Sequence, residues 1–243
     1  MDRHSISAAH EAALKKISEL HAAKARSKHP LWQGLMQGKF SRPQVVEFLK
    51  QAGCIPLHNH HYHGYLYINC TDAAWRIRMA EVVYEEGTGR IFSDGVAHPE
   101  LYLRLSEAFG ISRTEMWGTE YGPGALGVRH FFESICSRNF LEGFAALALG
   151  AEASGPGVLG KVSIAFQKHY GLTEEQTKFY SVHEEADSDH SSGGADFLRQ
   201  FATTDTDVAL VVNSVRDSLT VLSGLWDDIW QRVQKVGDAA QRR

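Results

Sequence analysis

The sequence has few cysteines and no long apolar run, and each shortage excludes a class of protein. Its 3 cysteines (Cys54, Cys70 and Cys136) are too few and too scattered for a disulfide framework, which favours a reducing compartment. No stretch approaches the ~18 apolar residues of a transmembrane helix, and residues 1–16 lack the apolar core of a signal peptide. The sequence therefore predicts a soluble, cytoplasmic protein with no membrane association.

An excess of positive charge is also missing. The 25 Lys and Arg residues are outnumbered by 29 Asp and Glu, giving a net charge of −4, which argues against a dedicated nucleic-acid-binding protein. With 43% hydrophobic and 22% charged residues, the 243-residue chain has the composition of an ordinary globular protein. The unusual feature is histidine, which occurs 13 times.

Apolar residues recur at helical spacing along the whole chain, and strand-like alternation is absent. Three segments, which begin at Ser41, Ser112 and Thr173, have a hydroxyl residue followed three positions later by Glu or Gln, the pattern of a helix-capping box. No Ser/Pro-rich linker or internal repeat divides the chain. The sequence therefore predicts one all-α domain over residues 1–243, with helices near 5–26, 42–67, 72–86, 98–109, 113–118, 126–150, 152–170, 174–199 and 205–236.

The clearest chemical pattern is formed by His183, Asp187 and His190. On an α-helix these three positions lie within about 60° of one another, so two imidazoles and one carboxylate share one face. Such a ligand set suits iron, manganese or zinc better than calcium or magnesium. The alternative is a polar surface face in a charged segment.

Glu152 is the second informative residue, because it follows the strongly apolar run Phe144–Ala151. A carboxylate buried in such surroundings must be paired or must bind a metal. The alternative is an exposed glutamate at the N-terminus of the next helix.

A third group of candidate ligands flanks a glycine-rich gap. Glu85 and Glu86 end one predicted helix, and His98 begins the next. These side chains can converge if the gap folds back. Together with the residues above, His98 and one of these two glutamates make three histidines and three carboxylates, the kind of set that facing helices supply to di-metal sites.

The order of these segments resembles that of the haem-oxygenase-like di-iron oxidases and oxygenases. The similar segments are EEGTG followed by HPEL, then EASGP with a lysine at Lys161, then YGLT followed by the His183, Asp187 and His190 triplet. The resemblance runs from about Val82 to His190. This family shares its fold with thiaminase-II-like proteins and pyrroloquinoline-quinone synthase.

The resemblance implies a single up-and-down helical bundle of the haem-oxygenase-like type. It also implies two Fe(II) ions per chain that activate O2 to oxidise a small amine- or amino-acid-like metabolite, by N-oxygenation, desaturation or C–C cleavage, in natural product biosynthesis. The metal ligands carried over are Glu85 (or its neighbour Glu86), His98, Glu152, His183, Asp187 and His190. The gap before His98 is about three residues longer than the family spacing, so the choice between the two glutamates stays open.

Other polar residues have weaker assignments. His58, His60, His61 and His63 crowd into one predicted helix. A polar helix face, from which one histidine can reach the cavity, is favoured there over a second metal site or a proton relay. Arg138 and Lys161 are candidates for binding a substrate carboxylate. A homodimer is compatible with the family resemblance, although no residue requires one.

Two other functions are compatible with a helical bundle. One is a metal-free, thiaminase-II-like or quinone-synthase-like enzyme that uses Cys, His or Tyr. The other is a non-catalytic helical interaction protein with histidine-rich surfaces. The complete set of six candidate ligands favours the metal-dependent oxygenase over both.

Overall fold

The computed structural model describes residues 6–154, 157–190 and 193–241, except for the side chains of 184–190, 240 and 241. Every regular element in these ranges is helical, as the sequence predicted. Two 3₁₀ turns (Arg26–Lys28 and Glu152–Ser154) and a π-helical segment (Ala145–Ala151) interrupt the α-helices. The α-helices are α1 (Ala8–Ala23), α2 (Pro30–Met36), α3 (Arg42–Ala52), α4 (Asn59–Asn69), α5 (Ala73–Thr88), α6 (His98–Ala108), α7 (Arg113–Trp117), α8 (Pro123–Arg138), α9 (Phe140–Phe144), α10 (Leu159–Tyr170), α11 (Glu174–His190), α12 (Gly193–Phe201) and α13 (Asp205–Gln241).

The three predicted capping boxes are confirmed. The Ser41 and Ser112 boxes begin α3 and α7, with both reciprocal contacts present. At the third, the Thr173 amide donates to Gln176 Oε1 at 2.9 Å and the Gln176 amide donates to Thr173 Oγ1 at 3.2 Å. Each box satisfies amides that the first helical turn leaves without a partner, which is why these starts were readable from sequence.

Helix breaks were harder to predict than helix starts. The helix expected over 42–67 is divided by turns at residues 53–58, where Pro56 lacks an amide proton and disfavours the helical conformation of Ile55. The helix expected over 126–150 is divided at Asn139, whose extended backbone (φ −164°) and side chain cap a new helix, α9. The short helix α2 was not predicted at all.

The long helix α13 is the centre of the bundle. It packs against α1, α3, α8 and the π-helical segment. The helix Asp205–Ala239 contains an 18-residue window with a mean hydropathy of 1.3, so by length and composition it could cross a membrane, although the sequence predicted no such stretch. One face of α13 is buried in the protein core, and a core helix passes the same test. The buried residues of that face are Val211, Val215, Leu219, Leu222, Leu225, Trp226, Ile229 and Val233.

An aromatic cluster joins α5, α9 and α12. Phe197 is fully buried and stacks on Phe144 with ring centroids 4.4 Å apart. Trp75 makes edge contacts to both of these rings and to Phe201. Such ring pairs add to the stabilisation from burial itself, so this cluster fixes α12 against the helices that flank the π-helical segment.

Replacing Phe197 by Ala tests this assignment. Removal of the buried ring is expected to lower the free energy of unfolding by ~3–5 kcal/mol, because the surrounding rings cannot fill the cavity. Ile77→Ala on α5 is the control, since Ile77 is 63% exposed and its loss should change stability by less than about 0.5 kcal/mol. Urea denaturation followed by circular dichroism measures both. Equal effects of the two substitutions would contradict the assignment.

Candidate metal centre

Three side chains from three different helices meet in the interior of the bundle. Glu86 lies near the C-terminal end of α5, His98 begins α6 and His183 lies on α11. Each offers one potential ligand atom, and the three atoms lie within 4.8 Å of one another. Glu86 and His98 are buried, and His183 is partly buried. The fold therefore brings together residues that are separated by 97 positions in the sequence, counted from 86 to 183.

The two nitrogens of His98 have different roles. Nε2 lies 3.0 Å from Ser93 Oγ and 3.3 Å from Glu85 Oε1. Nδ1 is buried, lies 3.1 Å from Glu86 Oε1, and has no partner with hydrogen-bond geometry. A buried nitrogen without a satisfactory donor or acceptor is costly. This atom is therefore available to bind a cation that Glu86 and His183 also face.

Glu85 has different contacts from its neighbour. Its Oε2 accepts hydrogen bonds from the amides of Ile91 (2.6 Å) and Phe92 (3.4 Å), and its Oε1 faces His98 Nε2. The glutamate thus closes the loop that precedes α6. The turn into this loop needs glycine at position 89. Gly89 has a φ of +64°, and the Cβ of any other residue there would lie only 2.1 Å from the Val96 carbonyl oxygen.

His183 is oriented by its own helix. Its Nδ1 donates to the Phe179 carbonyl oxygen at 2.6 Å, one turn earlier on α11. The proton is therefore on Nδ1, and Nε2 carries the lone pair. Histidines that bind metals characteristically donate their other ring N–H to a carbonyl or carboxylate in this way. The ring also packs against the His98 ring, with centroids 4.7 Å apart.

Glu152 lies on the 3₁₀ turn that follows the π-helical segment, and it contacts a histidine that the sequence had placed on a polar surface. Its Oε1 is 3.1 Å from Nε2 of His63, a residue on α4 that is only 4% exposed. The Asn59 amide lies 3.0 Å from the same nitrogen. The alternative of an exposed Glu152 does not fit this contact.

The backbone before Glu152 is held by neighbouring elements. A π-helix changes the carbonyl pattern of the chain, and such segments are frequent at functional sites. Here His21 Nε2 donates to the Leu149 carbonyl at 2.7 Å, and Arg26 donates to the Ala151 carbonyl at 3.0 Å. Gly150 lies so close to α13 that a Cβ would be 2.7 Å from Ser218 Oγ. These contacts fix the position of the backbone that carries the Glu152 side chain.

The electrostatics of the site keep Glu86 ionised. Burial alone would raise the pKa of this carboxyl group, but the adjoining His98 and the nearby His63 and His183 imidazoles outweigh burial and lower the pKa to about 2. Burial lowers the pKa of His183, and the charge of His98 lowers it further. The contacts with Glu86 and Glu85 outweigh burial and raise the pKa of His98, so the anionic Glu86 lies between a neutral His183 and a His98 whose protonated form is favoured. A metal ion would bind here in exchange for the His98 proton.

The other predicted site residues have different outcomes. The backbone of α11 includes Asp187 and His190, but their side chains lie outside the described residues. Arg138 is exposed and pairs with Glu142 at 3.1 Å, and Lys161 is exposed on α10. The structure therefore brings neither cation into the buried cluster, and their role in binding a substrate carboxylate stays a prediction.

His63 and Asn59 are the residues that sequence reasoning missed. The prediction grouped His63 with His58, His60 and His61 on a polar helix face, whereas His60 and His61 are exposed and His63 is buried. The signal was the spacing of Asn59 and His63, four residues apart and thus on one face of a helix.

Comparisons with known proteins identify the family of the chain. A family model described as "Iron-containing redox enzyme" matches residues 46–222. A 4-aminobenzoate synthase from Chlamydia pneumoniae is 24% identical over 220 residues, which cover 88% of this chain and 89% of that protein.

Solved structures show the same fold. A protein of unknown function with a haem-oxygenase-like fold from Shewanella denitrificans has a TM-score of 0.71 at 18% identity, covering 90% of this chain and 91% of that chain. A TenA homologue from Pseudomonas syringae has a TM-score of 0.73 at 14% identity, covering 93% and 94%. The buried imidazoles and carboxylates therefore lie in a haem-oxygenase-like bundle, and the chain belongs to the family of iron-containing redox enzymes.

Proposed function

We propose that this protein is an O2-dependent, non-haem di-iron oxidoreductase that acts on a small amine- or amino-acid-like metabolite. The observation that carries the proposal is the buried Nδ1 of His98, which faces Glu86 and His183 without a hydrogen-bond partner. Imidazole and carboxylate together suit iron among the common metals. The family match supports iron, and the 4-aminobenzoate synthase supports chemistry on an amine-bearing compound.

The residues divide into direct ligands and supporting groups. We assign Glu86, His98, Glu152 and His183 as ligands, together with Asp187 and His190 from the family resemblance. Glu85 was the first choice from sequence, but we assign it as a supporting residue behind the ligand His98. It orients His98 through Nε2 and holds the loop before α6. A carboxylate behind a ligating histidine is a recurrent arrangement in metal sites.

The surrounding residues would control access to the site. Phe92 lies on the loop before α6 with its ring 6.0 Å from the His98 ring, and Phe179 lies 4.4 Å from the His183 ring. Phe179 is buried and covers one side of the His183 ring, whereas Phe92 is 46% exposed and lies at the solvent side of His98. Iron bound there would supply one-electron chemistry with O2.

A cytoplasmic location and a homodimer stay predictions.

The alternative on the same fold is a metal-free, thiaminase-II-like enzyme, and the TenA homologue fits it in architecture. An enzyme of that kind could use a cysteine nucleophile. Cys54, Cys70 and Cys136 are all buried, and burial raises the pKa of each thiol. Since the thiolate is the reactive form, the cysteines are poorly suited to this role.

Substitution of the two adjacent glutamates tests the ligand assignment. Glu86→Gln is expected to lose at least one iron per chain after anaerobic Fe(II) loading and gel filtration, because the amide cannot replace an anionic ligand. Glu85→Gln is the matched control, and it should keep the full complement with affinity lowered by about 10–100-fold. Iron is measured colorimetrically. Loss of iron from Glu85→Gln with retention by Glu86→Gln would reverse the assignment.

Oxygen consumption tests the proposed reaction type. Protein loaded with Fe(II) should take up O2 in the presence of a suitable amine or amino acid, and the apo-protein and the Zn(II)-loaded protein should not, since zinc has no redox chemistry. An oxygen electrode with a panel of amino acids and aromatic amines provides the measurement. Substrate turnover by iron-free protein at an equal rate would favour the metal-free alternative.

A further inference from the structure

His63 is a buried ionisable residue that the ligand set above does not include. It lies on α4, whereas the assigned ligands come from α5, α6, α11 and the turn after the π-helical segment. Its Nε2 is 3.1 Å from Glu152 Oε1 and 3.0 Å from the Asn59 side-chain amide nitrogen. A buried imidazole in contact with a candidate ligand needs a role.

The proton on the His63 ring can be assigned from its partners. An ionised carboxylate only accepts hydrogen bonds, so the Glu152 contact requires a proton on Nε2. Asn59 then presents its carbonyl oxygen to the same proton, because the two ends of an amide are interchangeable in such an assignment. Asn59 lies one helical turn before His63, so α4 fixes the plane of the ring.

A nitrogen that carries this proton cannot also bind a metal through its lone pair. The geometry therefore distinguishes His63 from His183, whose Nδ1 donates to the Phe179 carbonyl oxygen and whose Nε2 keeps its lone pair for the cluster. Carboxylates that bind metals are commonly oriented by an outer hydrogen bond to one of their oxygens.

We propose that His63 is a positioning residue for Glu152: it donates from Nε2 to Oε1 and thereby orients the carboxylate for metal binding. This proposal rests on the proposed function. It makes Asn59, His63 and Glu152 a chain of contacts that connects the start of α4 to the metal centre. The crowded histidine segment thus contributes one residue to the site, and its exposed members His60 and His61 do not take part.

The experiment measures binding of Fe(II) and of the spectroscopic probe Co(II) to the full chain. His63→Ala should weaken the affinity of at least one metal position by about 10–100-fold and alter the visible Co(II) spectrum, with two ions still bound at saturation. His63→Gln should recover most of the affinity, because the glutamine amide nitrogen can occupy the place of Nε2 and donate to Glu152. His61→Ala, two residues away on the surface, is the control and should bind metal as wild type does.

A double-mutant cycle decides whether His63 acts through Glu152. In a Glu152→Gln background, His63→Ala should cause little further loss, because the group that it positions is already changed. Additive losses, or binding of only one ion at saturation by His63→Gln, would show that His63 is itself a ligand and would overturn the proposal. If His63→Ala does not fold, as judged by circular dichroism, Asn59→Ala replaces it and should weaken metal binding in the same direction.

The outcomes also separate this proposal from the function on which it rests. Wild-type protein that binds neither Fe(II) nor Co(II) would contradict the proposed function. Wild-type protein that binds two ions, together with a His63→Ala variant of unchanged affinity and spectrum, would leave that function intact and refute the role of His63 alone.

Discussion

The interior of this bundle is organised by the need to compensate buried ionisable groups. Glu85, Glu86 and His98 are each less than 9% exposed, and burying such groups without partners is costly. They compensate one another, with His98 between the two carboxylates at 3.3 and 3.1 Å. Because these three residues come from two helices and the loop between them is tied to Glu85, this interaction fixes the relation of α5 to α6.

The same requirement accounts for the departures from regular helix near the site. The π-helical segment and the 3₁₀ turn that carry Glu152 would leave carbonyl groups of the chain without their usual partners. His21 and Arg26, which belong to the N-terminal part of the chain, supply donors to two of those carbonyls. Side chains far away in sequence thus stabilise the local geometry that presents a candidate ligand. The aromatic cluster around Phe197 holds the adjoining helices in place.

Prediction from sequence succeeded where the controlling interaction is local. The all-α class and the three capping boxes depend on residues within a few positions of one another. It failed at the breaks near Pro56 and Asn139, where turns compete with helix continuation. Arg138 and Lys161 are both exposed, and their role in substrate binding stays a prediction.

The sequence by itself determined the helical architecture and the order of candidate ligands along the chain, because spacing along a helix is an intrinsic property of the sequence. Only the tertiary structure separated Glu86, which faces the imidazoles, from Glu85, which closes a loop. It also decided that His63, alone among four clustered histidines, is buried beside Glu152. Neighbouring residues on a helix point about 100° apart, so which of them enters a site depends on packing between helices and not on composition.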